Sequence, residues 1–386
     1  MKTLFQVWMN EYRTIFSDFG ILLVFFGAII IYPFFYPLPY TNEVLKDIPV
    51  AVVDMNHSQL SHKLTRMIDS SELVFVAARD DTFDQAKVSI LKGDIGGIVY
   101  IPNDFENKVL RGEQASVSVY SDASYFLIYK QVLSGIYHSV GTFSAGIEVK
   151  RMTARGVMEE QALSARNPLS LISFPLFNPT GGYATYVVPA VLVLMLQQTL
   201  LIGVGLLSGT RREKGFGENN NPQSVSIISL ILGKSFAYFS IYMVHAVYLF
   251  GILFRFYHFP QRGNPMDLIL FIIPYLFASI FLAQAISGFF KTREMSMMIL
   301  LFSSMPALFL SGFSWPKSSI PNWLNQLAML LPSTAGIDGF LRINQMGASL
   351  KDIGFDWGVL LGLTAVYFFL AVISVQRQYA DLGLKQ

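Results

Sequence analysis

Six long apolar stretches constrain this chain more than any other feature of its sequence. A helix that crosses a membrane needs about 20 consecutive, mostly apolar residues. The composition agrees, because 53% of the residues are hydrophobic and only 14% are charged, against about 25% charged in an ordinary soluble domain. We therefore predict a polytopic α-helical membrane protein with six transmembrane helices, at residues 19–38, 183–207, 225–254, 268–290, 295–313 and 355–375.

The first apolar stretch has a superficial similarity to a signal peptide. The leader before it is long, and the sequence YPFFYPLPY offers no small-residue cleavage site. We expect a retained span at 19–40. The leader itself, residues 1–18, places Leu4, Phe5, Trp8, Tyr12 and Ile15 or Phe16 on one helical face, which is typical of a helix lying flat in the membrane interface. Trp8, Tyr12 and Arg13 are its candidate interfacial residues; an amphipathic helix packed on protein is the alternative.

The distribution of lysine and arginine predicts the orientation, because short cytosolic segments carry an excess of both. One side would hold Lys2, Arg13, Arg211, Arg212, Lys214, Lys291, Arg293, Arg377 and Lys385. The other would hold Arg255, Arg262, Lys317, Arg342 and Lys351. We expect the richer side to be cytosolic, with both termini, and residues 41–180 to lie outside.

Residues 41–180 have the pattern of a separate α/β domain inserted between the first two spans. Short apolar strands alternate with helical segments, which is typical of a small layered sheet. The strands are predicted at 48–54, 72–77, 95–102 and 115–122, the helices at 58–68, 82–91 and 103–110, and a longer helical return at 125–165. The remainder, 181–386, would form the transmembrane domain with helices two to six.

The residue inventory argues against several function classes. The net charge of +2 disfavours nucleic-acid binding, and the absence of cysteine excludes disulfides and thiolate sites. There is no Walker A motif and no hydrolase or metalloprotease signature. Asp54, His57 and His62 could form a metal site, but their spacing favours a solvated loop. We expect no catalytic residue, metal or cofactor in this chain.

Polar side chains inside the spans are candidate residues of a translocation path. Gln197, Gln198, His245 and Gln284 all fall within apolar stretches. An ionisable residue inside a membrane is a functional hypothesis by default. Hydrogen bonding to a neighbouring helix is the alternative for each of them.

The segment 312–340 is apolar but is too interrupted by proline to span. We predict a re-entrant or interfacial helix pair that forms an outer gate, with the alternative of a plain external loop. The candidate gate residues are Gly312, Pro316, Pro321, Trp323 and Pro332.

The order of these parts resembles the permease subunit of a type-2 ABC transporter, in the drug-exporter branch. The stretches IPVAVVDMNHSQLS and LKGDIGGIVYIPNDFENKVLRG are similar to that family's external domain. SGFSWPKSSIPNWLNQLAMLLP, followed by Arg342, is similar to its segment before the last span. The resemblance covers nearly the whole chain.

The resemblance also gives a role to the charged sequence GTRREKGFG that ends the second span. In this family the loop there carries a short coupling helix that enters a cleft of the ATPase subunit. The residues that match are Arg211, Arg212, Glu213, Lys214 and Gly217. The chain departs from the family pattern at Gly215 and in ENNNP, residues 218–222. A simpler reading is that the basic residues fix topology and bind anionic lipid.

The resemblance implies a permease subunit of an ATP-driven exporter in a bacterial inner membrane, moving an amphipathic or hydrophobic substrate. ATP and Mg would be bound by a separate ABC ATPase subunit. The other implied partners are a second permease chain, identical or homologous, and a periplasmic adaptor with an outer-membrane channel. The alternative is a membrane-anchored assembly or sensing protein whose external domain binds a partner; an ion-driven transporter would need charges deep in the spans.

Overall fold

The computed structural model describes residues 4–169, 171–214 and 226–381. The chain forms two compact units. We call Met1–Glu43 with Pro175–Gln386 the membrane unit, and Val44–Phe174 the α/β unit.

The chain starts with an amphipathic helix followed by the first span. Helix α1 (Leu4–Ser17) ends immediately before Asp18, whose carboxylate caps the next helix. The span then runs through α2 (Phe19–Leu22), one π-helical turn (Leu23–Gly27), α3 (Ala28–Phe35) and a short 3-10 helix (Leu38–Tyr40).

The α/β unit is a four-stranded sheet with helices on both faces. The strand order is β2-β1-β3-β4, with β1 parallel to β2 and β3, and β4 antiparallel to β3. Its elements are β1 (Ile48–Asp54), α4 (Gln59–Asp69), β2 (Val74–Asp80), α5 (Phe83–Lys92), β3 (Gly97–Ile101), α6 (Phe105–Arg111), β4 (Ser118–Ser121), α7 (Phe126–Ala154) and α8 (Glu159–Arg166).

Alternation along β1 explains the two layers of this unit. Val50 and Val52 face a core with α4, α6 and α7, whereas Ala51 and Val53 face a smaller core with α5. Successive side chains of a strand point to opposite faces, so a fully apolar strand is buried on both sides. The order of strands and helices predicted from the sequence matches the order of these elements along the chain.

The membrane unit continues with five more spans and a broken segment. The helices are α9 (Tyr183–Glu213), α10 (Ile227–Val247) with a π-helical turn (Tyr248–Leu253) and α11 (Phe254–Phe256), α12 (Pro265–Ser287), α13 (Arg293–Phe302), α14 (Ser304–Leu310), a 3-10 helix (Lys317–Ser319), α15 (Asn322–Ala328), α16 (Pro332–Asn344) and α17 (Gly354–Asp381).

Six helical stretches are long and apolar enough to cross a membrane, which confirms the predicted fold class. They are Phe19–Tyr40, Tyr183–Glu213, Ile227–Phe256, Pro265–Ser287, Arg293–Leu310 and Gly354–Gln378. The second span lies at the centre of the unit, because 83% of its most apolar 18-residue stretch is buried, against 22% for the first span and for the last. Whatever α9 contacts at its ends therefore bears on the whole bundle.

Candidate functional site

The end of α9 holds a buried ion pair with the N-terminal helix. Arg211 Nη2 donates to Glu11 Oε2 at 2.5 Å, and the Tyr238 hydroxyl of α10 donates to the other carboxylate oxygen. Glu11 is only 3% exposed. A buried ion pair is tolerated when further hydrogen bonds satisfy its charges, and here both carboxylate oxygens have a donor. The pair joins three helices at one end of the bundle.

The surroundings of Glu11 keep its carboxylate ionised. Burial raises its pKa, but the nearby Arg211 and Lys234 cations and the hydrogen bonds from Tyr238 and Arg211 lower it by more. The net result is a pKa below the ordinary glutamate value. Glu11 is therefore a carboxylate at neutral pH, inside the protein.

A second ion pair ties the start of the first span to the start of the fifth. Arg293 donates from Nη1 to Asp18 Oδ2 at 2.7 Å and from Nη2 to Asp18 Oδ1 at 2.9 Å. Asp18 Oδ1 also accepts from the backbone N–H groups of Gly20 and Ile21, which cap α2. The hydrogen bonds from Arg293 are the largest cause that lowers the Asp18 pKa, and they exceed the opposing effect of burial.

The last turn of α9 also holds the neighbouring helix ends directly. Glu213 Oε1 accepts from the backbone N–H of Arg293 at 2.8 Å, and Arg212 Nη2 donates to the Gly288 carbonyl at 2.7 Å. A Cβ on Gly209 would lie 2.6–2.7 Å from the backbone of Thr292 and Arg293. Glycine is required here because the two backbones approach too closely for any side chain.

We call Glu11, Asp18, Arg211, Glu213 and Arg293 the charged joint. Its members come from α1, the residue before α2, α9 and α13, and Tyr238 adds α10. Charge-assisted hydrogen bonds of this kind are short and strong. The joint connects the end of α9 to four other helices, α1, α2, α10 and α13.

Helix α1 packs on α10 through a stripe of which only Ile15 belongs to the predicted apolar face. Its buried residues are Val7, Glu11 and Ile15, at the i, i+4, i+8 spacing of one helical face. A Cβ on Gly233 of α10 would lie 2.8 Å from Val7 Cβ, so α1 lies directly against that glycine. The sequence shows the helical spacing of these residues, but a glutamate at the centre of the stripe is expected to face solvent.

The predicted interfacial residues lie on the flank of this stripe. Trp8 is half-buried beside Phe236, the Tyr12 hydroxyl is hydrogen-bonded to Ser240, and Arg13 is exposed. The aromatic face beyond them stays uncovered, with Phe5 59% exposed. The helix therefore packs on protein with one face and presents apolar surface with another, and its place in a membrane interface stays a prediction.

The predicted coupling residues divide into an inward and an outward set. Arg211 and Arg212 are half-buried and bonded to other helices, whereas Glu213 and Lys214 are exposed. Gly217 lies outside the described residues, as do the departures at 215 and 218–222 and residues Lys2 and Lys385. The sequence did not predict that the arginines bind other helices of the same chain, because the partner of Arg211, Glu11, is 200 positions away.

Two of the predicted path residues bind neighbouring helices. Gln197 accepts from the Ser333 backbone N–H at 2.7 Å and donates to the Ser333 hydroxyl at 3.2 Å. Gln284 donates to the Ser235 hydroxyl at 2.8 Å. Gln197 therefore caps the first turn of α16, where backbone N–H groups have no intrahelical partner.

The other two path residues carry buried polar atoms that lack a hydrogen-bond partner in the described part of the chain. These atoms are Nε2 and Oε1 of Gln198 and Nε2 of His245. The His245 ring lies edge-on to Phe26 and Tyr242. Buried polar groups are nearly always hydrogen-bonded, so these atoms of Gln198 and His245 are available to form hydrogen bonds.

The broken segment before the last span contacts α9 near its start, then near its middle, and then near its start again. Tyr186 donates to the Phe313 carbonyl at 2.7 Å, Gln197 binds Ser333, and Gln345 donates to the Thr185 carbonyl at 2.7 Å. At 1.5 Å per helical residue, the distance along α9 from Tyr186 to Gln197 is about 16 Å. We call residues 313–345 the hairpin segment.

The predicted gate residues lie in or beside this hairpin segment. Gly312 has φ +81, and the Lys317 side chain occupies the place of a Cβ. Pro316 precedes the 3-10 helix, Pro321 precedes α15, and Pro332 starts α16. Trp323 is 64% exposed. Their gating role stays a prediction.

The α/β unit gives no metal centre among the residues that the structure describes. Asp54 Oδ2 accepts from Ser61 Oγ at 2.6 Å and lies 3.9 Å from His62 Nε2. Within the described ranges, no group of three or more histidine, aspartate or glutamate side chains is placed to hold a metal ion. Asp54 instead organises the turn after β1, accepting from the backbone of Asn56 and His57.

Comparison with known proteins identifies the family. The family described as ABC-2 family transporter protein matches residues 19–373. The chain is 20% identical over 391 residues to the inner membrane transport permease YhhJ of Escherichia coli (strain K12), covering 99% of each chain.

Two further relatives match part of the chain. It is 22% identical over 202 residues to the probable multidrug ABC transporter permease YbhR of the same strain, covering 52% of this chain and 55% of that protein. It is 22% identical over 230 residues to ABC transporter G family member 20 of Dictyostelium discoideum, covering 58% of this chain and 31% of that protein.

These matches confirm the resemblance that the sequence motifs suggested. The relatives are transport permeases, and six candidate spans agree with a multi-pass inner membrane protein. A permease of this kind implies an ABC ATPase partner. Because the family match extends over most of its length, this chain belongs to the ABC-2 family of transporter proteins.

Proposed function

We propose that this permease exports an amphipathic or hydrophobic substrate, driven by a separate ATPase that engages the chain after α9. The observation that carries this function is the charged joint, which attaches the end of α9 to α1, α2, α10 and α13. The excess of lysine and arginine on this side supports a cytosolic location for this end and both termini, with the α/β unit outside.

The joint supplies a physical route from the ATPase to the spans. A force applied beyond Lys214 would reach α9 first and, through Arg211 and Glu213, the N-terminal helix and the fifth span. Coupling between distant sites is carried by rigid helices and connected polar contacts. In its first half α9 holds the hairpin segment, through Thr185 near its start and Gln197 near its middle, so movement of α9 would also shift the proposed outer gate.

The implied partners follow from this role. ATP and Mg would be bound by the ATPase and not by this chain. A second permease chain, identical or homologous, would complete the path between two sets of six spans. The α/β unit would receive substrate outside and pass it to a periplasmic adaptor and an outer-membrane channel. The free polar atoms of Gln198 and His245 are the contacts that an amphipathic substrate would find among apolar spans.

The test is co-purification of the tagged chain with its ABC ATPase, measuring ATPase recovery and ATP turnover. The main variant is the double substitution Glu213→Ala, Lys214→Ala, because both side chains are exposed at the end of α9. Glu213 also accepts a hydrogen bond from α13. The single variant Glu213→Gln is therefore the control, since it removes the charge and keeps an acceptor oxygen.

We expect the wild-type chain to recover the ATPase, and the double variant to lose recovery or to lower turnover about tenfold or more, a change of about 1.4 kcal/mol. Unchanged recovery and turnover in the double variant would contradict coupling at these residues. Recovery of no ATPase by the wild-type chain would instead favour a membrane anchor whose α/β unit binds a partner.

A further inference from the structure

A small cavity lies inside the membrane unit, beside the charged joint. Its volume is about 40 Å³, and its polar walls include Arg211, Lys234, Gln284 and Ser287. These residues come from α9, α10 and α12. Arg211 belongs to the charged joint. Lys234 belongs neither to the joint nor to the residues proposed to contact the ATPase.

The charges around this cavity are not balanced. Arg211 and Lys234 both line it, and Glu11 is the carboxylate that attracts the two of them. Both oxygens of Glu11 already accept hydrogen bonds, from Arg211 and Tyr238. None of the ion pairs formed within the described residues includes Lys234. One positive charge is therefore left over in a half-buried position.

An unmatched cation in a poorly hydrated site is costly, and an anion that enters the site removes that cost. The cavity has room for on the order of three water molecules, which is also the size of a few-atom anionic group. Two further lining residues, Leu230 and Val375, are apolar and partly exposed. An anion with an apolar body could therefore place its charged group beside Lys234 and its body along the helices.

We infer that the cavity beside Lys234 binds the phosphate group of an anion, either the headgroup of an acidic phospholipid or free inorganic phosphate. Basic pockets between transmembrane helices bind anionic lipid headgroups in this manner. Bound phosphate would balance the charge at the joint and hold α10 and α12 to the end of α9. The site does not depend on the proposed transport function.

The experiment uses the full chain in a neutral detergent and measures its Tm. The probes are dioleoyl phosphatidylglycerol, dioleoyl phosphatidylcholine with the same acyl chains, and sodium phosphate against sodium chloride at equal ionic strength. The test variant is Lys234→Met, which keeps the length of the side chain and removes its charge. Lys291→Met is the matched control, since Lys291 is an exposed lysine just beyond α12, and Lys234→Arg is the conservative variant.

We expect phosphatidylglycerol to raise the Tm of the wild-type chain, Lys291→Met and Lys234→Arg by about 2–4 °C. Lys234→Met should lose this rise, and phosphatidylcholine should give none. A Lys234-dependent rise with sodium phosphate as well would identify the free anion as a ligand, whereas a rise with phosphatidylglycerol alone would identify the lipid. Equal responses of Lys234→Met and Lys291→Met to every probe would overturn the site.

Discussion

The two ends of the membrane unit both carry charged residues, but they use them differently. At the α9 C-terminal end, the ion pairs join residues about 200 and 275 positions apart, Arg211 with Glu11 and Arg293 with Asp18. At the opposite end, Asp338 pairs with Lys317 and Arg342, which are 21 and 4 positions away. The first end joins separate spans, whereas the second stabilises one local segment.

Burial separates the Arg211–Glu11 pair from the pairs at the opposite end, whereas the Arg293–Asp18 side chains, 31% and 18% exposed, are intermediate. The Glu11 side chain is 4% exposed and that of Arg211 17%, whereas the Lys317, Asp338 and Arg342 side chains are 27–46% exposed. Exposed pairs contribute little stability, whereas removing one partner of a buried pair leaves an uncompensated charge. The two ends therefore differ in how their charges are paired, with a buried pair between separate helices at one end and exposed pairs within one segment at the other.

The largest effect should follow the loss of charge at Glu11. Glu11→Gln leaves Arg211 without its counter-charge, and we expect a loss of about 3–5 kcal/mol in the free energy of unfolding. Thermal unfolding of the chain in detergent measures it. Arg211→Gln combined with Glu11→Gln should recover part of the loss, because Arg211 is then no longer a buried cation without its counter-charge. Additive effects of the two substitutions would show that the residues do not interact.

The close approach of α9 to α13 gives the next largest effect. Gly209→Ala would put a Cβ within 2.7 Å of the backbone of Thr292 and Arg293, and we expect a loss of about 1–3 kcal/mol from overpacking. Gly362→Ala in α17 is the control, since nothing lies within 4 Å of a Cβ at that position. There we expect no loss, or a gain of about 0.5–1 kcal/mol from the helix propensity of alanine. Similar results at both glycines would refute the close packing.

A smaller effect is expected from the matched substitution at the opposite end. Asp338→Asn removes the partner of both Lys317 and Arg342, but these groups are partly exposed to solvent. We expect a loss of about 1 kcal/mol or less, which added salt reduces further. The same unfolding assay checks it. A loss as large as that of Glu11→Gln would erase the difference between the two ends.

The smallest effect is the pH dependence contributed by Asp18. Its pKa is lowered in the folded state, first of all by the hydrogen bonds from Arg293. The carboxylate therefore adds stability that is complete above the ordinary aspartate pKa of about 4 and is lost as pH falls through the lower folded-state value. We expect wild type to lose more stability than Asp18→Asn between pH 5 and strongly acidic pH, measured as Tm. Parallel curves would exclude this contribution.

The sequence was sufficient for the spans and for the order of the α/β elements. Apolar stretches of about 20 residues and period-two alternation are local properties, and each lies within one element. The predicted span at 183–207 and the observed Tyr183–Glu213 differ only in the last six residues. These residues are mostly polar, so the apolar stretch ends before the helix does.

The charged joint could not be predicted from the sequence because its contacts are made between distant positions. Glu11 is a single charge in an amphipathic helix, where the sequence pattern predicts a solvent-facing side chain. Arg211 and Arg212 are both bonded inside the bundle, and their role in coupling stays a prediction. The Gln197 amide caps α16, which agrees with the alternative of hydrogen bonding between helices. The sequence pattern shows where a polar residue lies along a helix, but it does not show which distant residue is its hydrogen-bond partner.

Transmission of force from the ATPase to the spans through the joint is tested by ATP turnover of the complex in lipid vesicles. The measurement compares wild type with Glu11→Gln and with Asp338→Asn. Because Glu11 is buried, the Glu11→Gln substitution affects transmission and not contact with the ATPase. We expect Glu11→Gln to recover the ATPase normally but to lower turnover, while Asp338→Asn leaves turnover unchanged. Normal turnover with Glu11→Gln would contradict transmission through the joint.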